Sequence, residues 1–216
     1  MTEQKKITRR KFLQGCLTAT AVGIALCGGG ALVGNYQPPV EQPTSNSGDP
    51  KMNNRVLVTY ATKAGSAGEV AARMAETLTK RGLAVDLMPV NKVTDLSPYK
   101  TVFLGSGIYM GNLLPEAKSF VEKNKSALAE KTLNAFFVCM TLEKDTEENR
   151  KTVSAYLDPI RALVKPANEG MFAGVFNPNK VSLLYRLIGT AMKTPVGDFR
   201  KWDQITAWTE QAAPAL

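Results

Sequence analysis

Residues Arg55 to Arg81 constrain the chain most, because they prescribe a buried strand, a tight loop and an amphipathic helix in immediate succession. Val56-Leu57-Val58-Thr59-Tyr60 is an apolar run with β-branched members, the pattern of a parallel strand covered on both faces. Ala61-Thr62-Lys63-Ala64-Gly65 reads as the loop. Ser66-Ala67-Gly68-Glu69 has capping-box spacing and opens a helix with Val70, Met74 and Leu78 on one face, flanked by Ala67, Ala71 and Ala75. A helix N-terminus offers unpaired N–H groups and the positive end of a dipole, so it suits a phosphate, and Thr62, Lys63 and Ser66 are placed to add contacts.

The kind of phosphate is narrowed by what the loop lacks. It has no Gly-Lys-Ser/Thr ending of a nucleoside triphosphatase loop. A dinucleotide fingerprint needs three glycines to bring the backbone against a pyrophosphate, and only Gly65 and Gly68 are present. A single monophosphate fits best.

The rest of the chain limits the chemistry. There is no histidine among the 216 residues, which removes Ser-His-Asp and Cys-His catalysis and His-ligated metals. Cys16 and Cys27 lie in the N-terminal segment, leaving Cys139 alone at the end of an apolar strand, where a buried inert thiol is expected. No metal site is expected, and redox chemistry must come from a bound cofactor. The formal charge of +8 is scattered, without a basic stripe interleaved with aromatics, so nucleic acid is not an expected partner. A basic balance suits an acidic partner or an anionic membrane surface.

Three segments are expected. Residues 1–34 carry Arg9-Arg10-Lys11-Phe12-Leu13 ahead of an Ala/Gly-rich apolar stretch over 17–33, which resembles a twin-arginine export signal or, uncleaved, an N-terminal anchor. That resemblance implies the twin-arginine translocation machinery as a partner and a location across the cytoplasmic membrane. The apolar run is slightly short of the ~20 residues that span a bilayer. Residues 35–53, rich in Pro and Ser, read as a solvated linker. Residues 54–216 alternate strand and helix, the signature of an α/β doubly wound sheet. After the first unit, strands are expected over 84–90 (an edge strand, alternating through Asp86), 101–104, 133–140 and 171–176. Helices are expected over 114–124, 146–164, 183–192 and 203–213. With the 84–90 strand at the edge, the five parallel strands take the order 2-1-3-4-5.

In such a sheet a ligand lies beyond the carboxyl ends of the strands, where their order reverses. The loop after the third strand, Gly105-Ser106-Gly107-Ile108-Tyr109-Met110-Gly111-Asn112, is expected to let backbone approach a planar ring, with Tyr109 or Ile108 as a stacking face. The loop after the fourth, Cys139 to Glu143, holds Thr141 but no aromatic.

Tyr60-Ala61-Thr62-Lys63-Ala64-Gly65-Ser66 followed by Glu69-Val70-Ala71 resembles the flavodoxin-like superfamily, and in particular the branch containing the menaquinone-dependent protoporphyrinogen oxidases. The Gly-Ser-x-Ile-Tyr-x-Gly run at 105–111 is similar to that branch's flavin-contacting loop. The stretch from Tyr185 through Met192, Gly197 and Trp202 looks like the branch's region before its last helix. The resemblance implies FMN as cofactor, with Thr62, Lys63, Ala64, Gly65 and Ser66 about the phosphate and Ser106, Gly107, Ile108, Tyr109, Met110, Gly111 and Thr141 about the ring. It also implies removal of hydrogen from a porphyrinogen with electrons passing to a quinone. The alternatives are a carrier that docks on a redox-protein partner and catalyses nothing, or a flavin-free interaction module. Leu183, Leu184, Leu187 and Ile188 are expected to pack onto the domain, the other reading being a surface for a quinone, a porphyrin or a membrane.

Overall fold

The computed structural model describes residues 36, 38–48 and 55–215, so the export-signal reading of residues 1–34 lies outside the described residues. A short strand, β1 (Ser45–Ser47), precedes β2 (Arg55–Ala61), α1 (Ser66–Lys80) and β3 (Val85–Pro89). A long β4 (Tyr99–Tyr109) turns back as β5 (Asn112–Leu113) and leads to α2 (Pro115–Lys123) and α3 (Lys125–Ala129). There follow β6 (Thr132–Cys139), α4 (Glu147–Ala155), α5 (Asp158–Arg161), β7 (Asn168–Ala173) and β8 (Val175–Phe176). The last elements are α6 (Leu183–Ala191), β9 (Gly197–Asp198) and α7 (Trp202–Ala212).

The main sheet runs β1-β3-β2-β4-β6-β7, with β5 on the end of β4. Its five parallel strands, β3-β2-β4-β6-β7, have the expected 2-1-3-4-5 order. The fold is α/β with helices on both faces. Alternation along β2 sends Val56, Val58 and Tyr60 toward Val70, Met74 and Leu78 of α1 and Ile205 of α7. Leu57, with Val102 and Leu104 of β4, faces Phe120 and Val121 of α2 and Ile160 of α5.

The 84–90 strand is not a free edge. Ser45–Ser47, in the segment expected to be a solvated linker, pairs antiparallel with it through Ser45 opposite Leu87 and Ser47 opposite Val85. The same segment places the Pro43 carbonyl where the Tyr60 hydroxyl donates to it at 2.8 Å. Asp86, expected on a polar face, is buried. Its carboxylate receives Arg55 Nη2 at 2.5 Å and Nε at 3.2 Å, and the Tyr99 hydroxyl at 2.7 Å. These partners compensate a charge that would otherwise be costly to bury.

Helix 146–164 is broken into α4 and α5, because Pro159 has no N–H to continue the ladder and suits a new first turn. The fifth strand ends at Ala173, and Val175–Phe176 leave the sheet to pair with Gly197–Asp198. No helix among the described residues is long and apolar enough to cross a membrane.

Candidate functional site

The loop after β2 is closed by its own side chain: Thr62 Oγ1 accepts the Gly65 N–H at 3.0 Å. Gly65 sits at φ 95° as the N-cap of α1, without a side-chain cap bond. The predicted capping box therefore does not form. Ser66 becomes the first helical residue, and Glu69 turns outward to Arg200 (2.6 Å) and Lys180 (3.5 Å). The first backbone bond runs from Glu69 N–H to Gly65 O at 3.0 Å, so the N–H groups before it point out of the helix end. The left-handed φ explains glycine here, and a Cβ would stand 2.9 Å from Val40 Cγ1. Gly65 thus shapes the loop from behind and does not line the cleft that the loop borders.

That cleft has a volume of about 470 Å³, inside the ~300–1,000 Å³ typical of small-molecule sites. Thr62, Lys63, Ala64 and Ser66 form one wall, Gly107 to Gly111 a second, and Val138 to Thr141 the floor after β6. Residues of β8 and α6 close the far side. Among the described residues lining it, Lys63 is the only charged one.

The second wall is a hairpin, where the sequence suggested an irregular loop. β4 continues through Ile108 and Tyr109, which pair with Leu113 and Asn112 of β5. Met110 (φ 50°) and Gly111 (φ 74°) supply the two left-handed residues that a two-residue hairpin turn demands. Gly105, in the loop expected to approach the ring, and Ser106, assigned to ring contact, do not line the cleft. A Cβ on Gly105 would meet Phe136 Cζ at 2.1 Å, so this glycine makes room for the core. Ser106 is buried, donates to the Gly107 carbonyl at 2.9 Å and accepts the Leu114 N–H at 3.2 Å, which fixes the start of α2. Gly107, Ile108, Tyr109, Met110, Gly111 and Thr141 do line the cleft.

Residues missed from the sequence come from α6 and its C-cap, Met192. Tyr185, Ile188, Gly189 and Met192, at spacing i, i+3, i+4, i+7, all border the cleft. That stripe was present in the sequence, masked by the leucines between its members. The Tyr185 ring lies 4.1 Å from the Tyr109 ring, and Lys63 Nζ is 4.6 Å from the centre of Tyr109 and 5.2 Å from that of Tyr185. Burial, with Tyr185 adding a smaller effect, pushes the Tyr109 hydroxyl well above its ordinary value. The Tyr109 hydroxyl is buried and, among the described residues, has no hydrogen-bond partner. Such an orphan at the edge of an apolar cleft is the kind of group a ligand atom satisfies. Cys139 is buried, its thiol is pushed up by burial, and its carbonyl accepts the Gly174 N–H at 3.1 Å, as suits a structural thiol.

The arrangement joins an anion-suited helix end to an apolar, aromatic-lined slot, which fits a molecule with a phosphate at one end and a planar ring at the other. Among the described residues no cluster of His, Cys, Asp and Glu is placed to hold a metal. Residues 57–199 match the sequence model of the Flavodoxin domain, and the chain belongs to that family. Solved structures with a similar fold include the flavodoxin of Streptococcus pneumoniae TIGR4, at 18% identity and TM-score 0.48, covering 73% of this chain and 97% of that one. Another is Fusobacterium nucleatum flavodoxin bound to flavin mononucleotide, at 12% identity and TM-score 0.44, covering 73% and 95%. A third is the apo form of the NADH:FMN oxidoreductase EmoB, at 10% identity and TM-score 0.47, covering 74% and 88%. No curated protein sequence matches the chain.

Proposed function

We propose that the chain binds FMN in this cleft and acts, after export, as a flavin-dependent oxidoreductase that delivers electrons to a quinone, in the manner of the protoporphyrinogen oxidases its motifs resemble. The observation that carries the reading is the junction of the α1 N-terminus, where Ser66 borders the cleft, with the buried Tyr109 hydroxyl, unpartnered among the described residues, across one apolar cleft. Bound FMN would supply hydride and single-electron transfer. Thr62, Ser66 and the first N–H groups of α1 hold the phosphate, and Gly107 leaves room for the ring to approach backbone. Tyr109 and Tyr185 offer aromatic faces. Lys63, exposed beside the Tyr109 ring, brings positive charge to the cleft, which favours added electron density on the ring and so would raise the potential. An absorption spectrum and cofactor extraction on the purified full chain test the cofactor; a colourless protein that ignores added FMN would leave the flavin-free interaction module. Oxidation of a porphyrinogen with a quinone as acceptor tests the enzyme.

One observation favours the second reading, an electron carrier docking on a redox protein. Among the described residues, the cleft contains no carboxylate to take a proton from a substrate, and the chain has no histidine. Flavin reduction by a protein donor, without porphyrinogen turnover, would decide for the carrier. Export rests on Arg9 and Arg10. Arg9→Lys with Arg10→Lys keeps the charge and changes the hydrogen-bond fork, so an unchanged envelope fraction in the double variant would remove that part of the reading.

A further inference from the structure

Helix α6 is apolar on two sides. Tyr185, Ile188, Gly189 and Met192 border the cleft, while Leu183, Leu184 and Leu187 point away from it and are 48%, 47% and 60% exposed. The expectation that these leucines pack onto the domain is therefore not met; of the four residues concerned, only Ile188 is turned inward. Met192, Val196 and the hairpin-tip Met110 are also exposed, and Met110 and Met192 belong to the cleft's lining, so the apolar strip reaches its mouth. Charge is equally one-sided. From Gly170 to Gly197 there is no Asp or Glu, whereas Lys180, Arg186 and Lys193 all fall in that stretch. Arg186, next to Leu187, and Lys193, just past the end of α6, are both exposed.

We propose that this outer face of α6 docks on an anionic lipid bilayer, with Leu183, Leu184 and Leu187 entering the acyl boundary and Arg186 and Lys193 against lipid phosphates. A nine-residue helix is about 13 Å long, too short to span and suited to lie in the headgroup plane. Cations flanking aliphatic residues, with no acidic side chain in the stretch, complement a negatively charged surface. Protein interfaces are normally anchored by aromatic residues, and the aromatic of α6, Tyr185, is turned inward onto Tyr109. Docking would bring the cleft mouth, rimmed by Met110 and Met192, to the level of the headgroups, within reach of an electron acceptor dissolved in lipid.

The test uses the full chain carrying Cys16→Ser, Cys27→Ser and Leu187→Cys, labelled at position 187 with an environment-sensitive fluorophore; Cys139 is buried and escapes labelling. Vesicles of phosphatidylglycerol and phosphatidylcholine should blue-shift the label and raise its emission several-fold, and vesicles of phosphatidylcholine alone should not. Adding Leu184→Glu should abolish the response. Arg186→Glu with Lys193→Glu should raise the lipid concentration for half-maximal response at least tenfold, and this surface pair carries the test if Leu184→Glu fails to fold by circular dichroism. Vesicle binding with an unchanged label would show that only the N-terminal apolar stretch binds, and would overturn the proposal. So would an equal response to neutral vesicles, or a response to rising protein concentration without lipid, which would mark a second copy as the occupant. FMN content is read separately by absorbance, so docking and the flavin reading fail independently.

Discussion

The rings of Tyr109 and Tyr185 lie 4.1 Å apart, centre to centre, at an interplanar angle of 55°. One is on the β4–β5 hairpin and the other on α6, so this contact joins two elements distant in the chain across the mouth of one cleft. Rings so close admit no third ring between them, and a flavin must part the pair or stack on its outside. In either case both side chains meet the cofactor's environment.

Replacing Tyr185 by Ala should therefore weaken FMN binding by about 0.5–1.5 kcal/mol, roughly two- to tenfold, measured by quenching of flavin fluorescence. Tyr109→Ala should do the same and also shift the reduction potential, read by redox titration on protein with unchanged circular dichroism. A folded Tyr109→Ala variant with unaltered affinity and potential would pass the stacking role to Ile108 or Met110.

The loop at the α1 N-terminus predicts discrimination between FMN and riboflavin, which lacks the phosphate. Ser66→Ala should reduce FMN affinity and leave riboflavin affinity unchanged in isothermal titration. Gly65→Val should lose FMN binding for a different reason: φ 95° costs a β-branched residue about 1–2 kcal/mol or more, and its side chain would drive into Val40. Equal loss of both ligands in Ser66→Ala would show that the loop does not read the phosphate.

Buried tyrosines make the fold sensitive to alkali. Burial pushes Tyr60 up from 10.0 to about 12, and burial with the Asp86 carboxylate pushes Tyr99 up as well. The folded chain then keeps phenol protons that the unfolded chain loses above pH 10, so this contribution to stability is complete below pH 10 and is lost as pH rises through about 12. Thermal melts should show a steep fall in Tm between pH 10 and 12. Tyr60→Phe should lower Tm at pH 8, because the bond to the Pro43 carbonyl is lost, and should flatten the alkaline slope. A variant with the wild-type slope would remove Tyr60 from the account.

Asp86→Ala should destabilise the protein by about 3–5 kcal/mol in urea, since it leaves the buried Arg55 guanidinium without its carboxylate. Arg55 and Tyr99 begin their strands, at the end of the sheet opposite the cleft. The flavin spectrum of the folded variant should thus match wild type, and a shifted spectrum would show coupling along the sheet.

A chain starting at residue 54 should be less stable to urea than one starting at residue 36. The shorter form lacks β1 and the Pro43 carbonyl that receives the Tyr60 hydroxyl. Equal midpoints would return residues 36–48 to the status of a linker.

Much of this architecture is written in local pattern. The apolar run of β2, the stripe Val70, Met74 and Leu78 on α1, and the alternation of strands with helices specify a parallel sheet, and the Thr62 to Ser66 loop announces an anion site. Those features are legible because burial on two faces and a 3.6-residue period leave marks on neighbouring residues. What depended on contacts between distant residues was not legible. Asp86 reads as an outward polar residue until Arg55 and Tyr99 are brought to it; Ser45–Ser47 reads as linker until β3 offers an edge; and Glu69 reads as a cap until Arg200 reaches it. Tyr185 joins the cleft, and Leu183, Leu184 and Leu187 leave it, only because α6 is set down over the ends of β4 and β6 with one face turned inward. A helix apolar on both sides has two equally good orientations by its own sequence, and the packing of Gly189 against Phe176 and of Tyr185 against Tyr109 chooses between them.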